Sequence, residues 1–254
     1  MNNPIGTWTM FKRENKRFMK VWLQTLLAPV INNLLYFAVF GIALHRAVMD
    51  IEGVGYLEFL VPGLIMMGLI NNAYQNPSSS LIMMKYQGLI SDLMTLPLKK
   101  YEILLSYTGS AVVRALVVGA VTFITATFFV DFNFYSITIA VVSMVLVAFF
   151  FAFLGIFMGI WADEFDKQAS FQNFLLTPLT FLGGVFYPTS TLPEFVQQIS
   201  HFNPIFHMVN LCRYGFTGLA EFSIIYSAII VSTLTLVMGL ICFFVLRSGW
   251  KLQN

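Results

Sequence analysis

One charged side chain falls well inside an apolar stretch of the sequence. Arg114 falls well inside the apolar stretch 103–130, while the other Lys and Arg residues lie between or beside such stretches. A cation in hydrocarbon is costly, so it is a functional candidate by default. The alternative is a long side chain that snorkels to the headgroups from a helix beginning before the lipid. Asn71, Asn72, Gln75 and Asn76 cluster within another apolar stretch. They could hydrogen-bond neighbouring helices or line a polar path, and packing is the plainer role. Carboxylates are missing from the stretch centres: Glu58, Asp92, Glu102 and Asp131 lie at edges or in connections. An ion-coupled carrier would keep one as a relay.

Catalytic patterns are absent as well. The sequence has no GxxxxGK[ST] phosphate loop, no HExxH and no GxSxG elbow. His45, His201 and His207 lie near the ends of apolar stretches without metal-ligand spacing, which suits polar interface residues better than ligands. Cys212 and Cys242 stand in apolar surroundings and read as free packing thiols. No catalytic residue, bound metal or cofactor is expected of this chain, and no nucleic-acid partner.

The elements that must position these residues follow from composition. Of 254 residues, 58% are hydrophobic and 10% charged, whereas a soluble domain is about a quarter charged. Six apolar stretches, about 21–44, 59–84, 103–130, 137–161, 171–187 and 224–246, are each long enough to cross a bilayer. The expected fold is an all-α integral membrane protein with six transmembrane helices in one domain, 1–254. The amino terminus is polar and basic and the first stretch is full spanning length, so no cleavable signal is expected.

Lys and Arg placement sets the orientation. With the amino terminus inside, eleven of them (12, 13, 16, 17, 20, 85, 99, 100, 167, 247 and 251) are cytoplasmic, and only Arg46 and Arg213 lie opposite. Both termini are then cytoplasmic. The loop with Asp163, Glu164 and Asp166 beside Lys167 dissents, but acidic residues weigh little in this rule.

Three segments between the spans have structure of their own. In 5–20 and just beyond, helical spacing puts Trp8, Phe11, Phe18, Met19 and Trp22 on one face, and Lys12, Arg13, Lys16, Arg17 and Lys20 on the other. That pattern predicts an amphipathic helix in the membrane interface, although the basic residues could serve topology alone. In 86–96, after Pro77-Ser78-Ser79-Ser80 interrupts the second stretch, Leu89, Leu93 and Leu96 recur at helical spacing with Ile90 and Met94 beside them. A short helix there would offer an apolar edge to a partner or to the membrane, unless it is merely a solvated hairpin tip. In 189–217, a stripe of Leu192, Phe195, Val196, Ile199 and Phe202 is broken at Asn203-Pro204 before a second short apolar piece. Two such pieces read as a re-entrant helical hairpin between helices five and six, or as a helix flat on the outer surface. Gly155 and Gly159 form a GxxxG on the fourth stretch, which permits close helix approach but is common by chance.

This order of features resembles the ABC-2 type exporter permeases over essentially the whole chain. The most specific stretches are Val61-Pro62-Gly63-Leu64-Ile65-Met66-Met67 and Leu176-Thr177-Pro178 through Gly183-Gly184-Val185-Phe186-Tyr187-Pro188. Leu192-Pro193, Asn203-Pro204 and Arg213-Tyr214-Gly215-Phe216 follow at similar spacing. The likeness is closest to small, uncharacterised permeases of the bacterial inner membrane. It implies a membrane-embedded homodimer or pseudo-dimer, with ATP and Mg bound by separate cytoplasmic ATP-binding cassette subunits. It further implies that Tyr86, Gln87, Gly88, Asp92 and Leu93 belong to a coupling helix docking on the ATPase. The basic helix bearing Trp8, Phe11, Lys12, Arg13, Lys16 and Arg17 would lie near that subunit. Asn203, Pro204 and Arg213 would contribute to an outer gate, with Arg114 a pathway candidate. Substrates of the family include polysaccharides, lipid-linked glycans, drugs and polyketides, and a wall rich in Phe, Met and Leu with few charges would suit an amphipathic one. An ion-coupled secondary carrier is the alternative, and a membrane-embedded enzyme would need a nucleophile or metal set that the sequence does not supply.

Overall fold

The computed structural model describes residues 3–45, 50–51 and 53–252. Arg46 lies outside them, as does the side chain of His45. Helix α1 (Pro4–Lys20) starts cleanly because Asn3 accepts a hydrogen bond from the Gly6 N–H at 2.9 Å and proline occupies the first helical position. After it a π turn (Leu23–Leu27) leads into α2 (Ala28–His45). The chain bends by 83° between residues 4–20 and 23–39. A two-residue antiparallel pair, β1 (Asp50–Ile51) with β2 (Val54–Gly55), turns at Gly53, whose φ of 85° suits glycine.

Helix α3 (Tyr56–Tyr86) is the axis of the molecule, and most of its residues are buried. Pro77 was expected to interrupt it, yet the helix runs through both Pro62 and Pro77. Around Pro77, neighbours replace what a solvated helix would lack. The Ser78 hydroxyl donates to the Tyr74 carbonyl at 2.7 Å and accepts from Gln168 at 2.9 Å. Gly155 and Gly159 of α6 (Ile137–Trp161) lie against this same stretch: a Cβ on Gly155 would overlap the Tyr74 carbonyl oxygen, and one on Gly159 would come within 3.0 Å of Ser78 Cα. The GxxxG therefore has a specific partner.

The short α4 (Ile90–Thr95) caps the α3–α5 turn, and α5 (Lys100–Ala126) returns alongside. Helices α7 (Phe165–Phe171) and α8 (Thr177–Leu182) are joined by a second π turn, Gln172–Leu176. The path stops at Gly183-Gly184, where Gly184 has φ 71°. A 3-10 turn (Thr189–Thr191) precedes α9 (Glu194–Phe202) and α10 (Pro204–Thr217), and α11 (Ile224–Ser248) closes the chain. Among the described residues, four helices (α3, α5, α6 and α11) are long and apolar enough to cross a membrane, or five if the bent pair α1–α2 counts as one span. The sequence predicted six. The difference lies in the first stretch, which the π turn joins to α1, and in the fifth, which is divided by a π turn and ends early at the glycines.

Packing gives each helix its surroundings. α10 is buried nearly throughout, against α3, α6 and α11, and Gly215 lets its backbone meet Ala140 at the start of α6. By contrast, α11 turns Ile225, Leu236 and Phe244 outward, 59–73% exposed. Apolar residues presented this way along a 25-residue helix belong in lipid. Two apolar clusters fill the interior. The larger spans α3, α6 and α10; the smaller joins α4 to α5, α6 and α11 at the end where α3 meets α4.

Candidate functional site

The basic helix holds a buried acid that the pattern of its charges did not single out. Glu14 is 1% exposed and accepts from Arg13 at 3.0 Å, Arg17 at 3.1 Å and the Ser80 hydroxyl at 2.8 Å. Arg13 also donates to the Tyr107 hydroxyl at 3.2 Å. Arg13 and Arg17 thus turn their guanidinium groups toward α3 and α5, although Arg13 stays exposed along with Lys12, Lys16 and Lys20. Of the aromatic face, Trp8 is exposed and stacks on half-buried Phe11, whereas Phe18 is buried. Along α5, Asn3 meets Glu102, Thr7 meets Ser106 and Phe11 meets Gly109. α1 therefore climbs beside the first third of α5.

We expect Glu14→Ala to detach α1. It strands two guanidinium groups and a buried hydroxyl, a loss of about 1–3 kcal/mol at a charged hydrogen-bonded site. Limited proteolysis at the α1–α2 bend reads this directly, and wild-type resistance would show that apolar contacts alone hold the helix.

Arg17 connects this cluster to the middle of the molecule. It donates to the Asn76 carbonyl at 2.5 Å and to Asn76 Oδ1 at 3.0 Å. Arg114 reaches the same oxygen at 3.4 Å and donates through Nε to Asn72 Oδ1 at 3.0 Å. Its side chain is held by these amides and lines a cleft of about 620 Å³ bounded by the α1–α2 bend, α3, α5 and α7. Asn71 and Gln75 meet Gln172 across the cleft, each at 3.1 Å. The polar residues of α3 thus do both things open to them: they bond neighbouring helices and they line a polar space. Gln24, Asn32 and Gln172 are lining residues that the sequence reading missed. Single amides in apolar stretches were the only signal.

The segment 86–96, expected from the resemblance to couple to an ATPase, divides into outward and inward parts. Tyr86 is 83% exposed, and Gln87, Gly88 and Asp92 are also exposed, with Gly88 at φ 71° closing the turn. Leu93, expected among the contacts, is buried with Ile90 in the smaller apolar cluster. It anchors α4 instead of presenting it. Beside this turn, Asp163 meets Lys251 at 3.0 Å and Lys85 and Lys167 at 3.5 Å each. The hydrogen bond from Lys251, with Lys85 close by, holds the Asp163 carboxyl below the ordinary aspartate range. The loop that dissented from the charge rule is therefore gathered among lysines.

At the other end, Arg213 is 1% exposed. It pairs with Glu221 at 2.6 Å, donates to the Gly184 carbonyl at 2.5 Å and lies 3.7 Å over the Phe59 ring. Glu221 in turn accepts from the Thr189 N–H and hydroxyl, both at 2.6 Å. Asn203 caps α10 through Ile205 N–H and donates to the Leu179 carbonyl at 2.6 Å, and Pro204 opens the helix. His207 is buried between Ser227 and the His201 carbonyl. These residues form a closed knot joining α3, α8, α10 and the 218–223 turn. Among the described residues no group of three His, Cys, Asp or Glu could hold a metal ion, and both cysteines are buried and free.

Comparison with known proteins agrees with this architecture. A family model described as ABC-2 type transporter matches residues 6–217. The inner membrane transport permease YadH of Escherichia coli is 38% identical over 250 residues, 98% of each chain. Nodulation protein J of Sinorhizobium fredii is 24% identical over 215 residues, 83% of this chain and 82% of the relative. Its counterpart in Rhizobium leguminosarum bv. trifolii is 26% identical over 212 residues, 83% and 80% of the two chains.

Proposed function

Because the chain belongs to the ABC-2 type transporter family, we propose that it is the permease subunit of an ATP-driven exporter in the bacterial inner membrane. A separate cytoplasmic cassette subunit supplies the ATP and Mg site, and a second copy of this chain completes the pathway. The observation carrying this reading is the turn after α3. It presents Tyr86, Gln87 and Asp92 outward while Leu93 and Ile90 fix it to the helical body. A rigidly anchored, solvent-facing turn is what force transfer from a moving partner requires. The likeness of Escherichia coli YadH, named an inner membrane transport permease, supports the location. The Lys and Arg bias places both termini in the cytoplasm.

In this reading, closure of the cassette subunits moves the turn, and α3 carries the movement past the cleft to the Arg213 knot. Helices α9 and α10 form the re-entrant hairpin: neither is long enough to cross, and α10 is enclosed by protein, which satisfies its backbone. The knot around Arg213 and Asn203 is then a fixed outer frame more than a moving gate. The substrate class is amphipathic, in keeping with a cleft that has both amide and apolar walls.

A mild-detergent pull-down of the tagged chain from native membranes tests the assignment. Co-purification of an ATP-binding subunit with vanadate-sensitive hydrolysis is the expected result. A chain that runs alone, and transports under an ion gradient, would instead make it a secondary carrier. Within a complex, Tyr86→Ala combined with Asp92→Lys is expected to weaken retention of the ATPase at least tenfold while leaving the permease monodisperse. Leu93→Ala acts differently. It removes a buried anchor and costs about 2–5 kcal/mol, visible as a lower melting temperature even without the partner.

A further inference from the structure

The cleft under the α1–α2 bend contains a cation with no counter-charge among the described residues. We infer that this cleft binds the anionic headgroup of an amphipathic molecule, and that Arg114 is the charge that recognises it. The inference rests on the permease reading above and adds the ligand class of its central site.

Four observations converge. First, the lining residues include two arginines and seven carboxamides but no carboxylate among the described residues. Such a wall rejects a cation and offers many hydrogen bonds to an anion and its neighbouring polar groups. Second, the two arginines are not equivalent. Arg17 shares the Glu14 carboxylate with Arg13, at 3.1 and 3.0 Å, whereas Arg114 donates to the neutral oxygens of Asn72 and Asn76. Among the described residues no carboxylate comes within ion-pair distance of it. A half-buried guanidinium without a counter-ion is unfavourable, and its planar fork suits a phosphate or carboxylate.

Third, both guanidinium groups converge on one atom, Asn76 Oδ1, at 3.0 and 3.4 Å. Like charges so placed repel, and an anion between them and the solvent side of the cleft removes the repulsion. Fourth, the two π turns among the described residues, 23–27 and 172–176, both border this cleft and supply Gln24 and Gln172 to its wall. π turns are rare inside helices and are frequently found at functional sites. Val21, Ala28, Pro29 and Met67 line the same space, and Leu27 at the end of the π turn and Ile31 on α2 are exposed beside them in the chain. An apolar tail therefore has a surface to lie on beside the polar headgroup. The volume, about 620 Å³, is that of an ordinary small-molecule site.

The test uses the purified full chain in dodecyl maltoside, titrated with dodecyl phosphate or with dodecylphosphocholine, whose headgroup has no net charge. Thermal unfolding is followed by size-exclusion chromatography. We expect saturable stabilisation by dodecyl phosphate at a concentration at least tenfold below that needed with dodecylphosphocholine. Arg114→Gln abolishes the difference and Arg114→Lys retains part of it, while Arg247→Gln, an exposed charge on α11, leaves it intact. Should Arg114→Gln fail to fold, Asn72→Ala carries the test, because it removes the acceptor that aims Nε and weakens the dodecyl phosphate response.

Two further arms identify the source of the anion. Competition by phosphatidylglycerol in the micelle assigns the site to a bilayer lipid. Saturation by inorganic phosphate alone assigns it to a free anion, and neither effect leaves a solute carried through the cleft. Equal stabilisation by the two dodecyl probes, or an undiminished response in Arg114→Gln or in folded Asn72→Ala, overturns the inference. Partner retention is measured on the same preparations. A wild-type chain that binds its ATPase but shows no anion preference defeats this inference alone, whereas anion binding by a chain without any ATPase defeats only the exporter reading.

Discussion

Arg213→Ala is expected to lower stability by about 3–5 kcal/mol, the cost of removing one member of a buried ion pair. The substitution leaves the Glu221 carboxylate facing the Thr189 N–H and hydroxyl without its cation, and it frees the Gly184 carbonyl from its donor at 2.5 Å. It also empties the space over Phe59. The loss should appear as a large fall in the temperature at which the detergent-solubilised protein ceases to run as a monodisperse peak. Arg213→Met combined with Glu221→Gln should recover much of it, because no charge is then stranded. A melting temperature equal to wild type in Arg213→Ala would mean that the knot is held by α10 packing alone and that the pair is incidental.

Gly155→Val should be nearly as damaging, for a steric reason. Even a methyl group at this position overlaps the Tyr74 carbonyl oxygen and comes within 2.9 Å of the Pro77 ring. Backbone on one side and a proline ring on the other cannot step aside as a flexible side chain would. α6 must then move off α3, the packing that fills the larger core. Overpacking of this kind costs about 1–3 kcal/mol, and valine adds a branch beyond the first clash. Gly239→Ala is the comparison: its added methyl meets the edge of the Phe153 ring at 3.0 Å, a side chain that can shift. Similar melting temperatures for the two variants would contradict the close approach at Gly155.

What could be read from the sequence was mostly what periodicity and composition encode. The amphipathic first helix, the break at Asn203-Pro204 and the close-packing glycines of α6 all appear where spacing put them. What escaped depended on partners distant along the chain. Glu14 looked like one acid among basic residues, because nothing local shows that Ser80 lies opposite it. Arg213 counted as an outward charge, although Glu221 eight residues later neutralises it across the turn at Gly218. The stripe of Leu89, Leu93 and Leu96 predicted one apolar edge for a partner, but tertiary packing divides it: Leu93 is buried, and the other two are 44% and 39% exposed. Helix count suffered for a related reason. Hydropathy sees a long apolar run, whereas the π turns and Gly183-Gly184 that divide such runs are matters of backbone geometry.

The length of α3 has a consequence for how the two ends of the molecule communicate. Its 31 residues rise about 1.5 Å each, so the helix is roughly 46 Å long and exceeds a hydrocarbon core of about 30 Å by several turns. Phe59, beneath the Arg213 guanidinium, and Tyr86, at the opposite tip, are thus carried by one uninterrupted rod, with Asn72 and Asn76 between them. A tilt imposed at the tip swings the far end in the opposite sense about whatever point is most tightly gripped. That fulcrum is the Tyr74–Ser78 stretch, clasped by the α6 glycines and lying within one turn of Arg114's two acceptors.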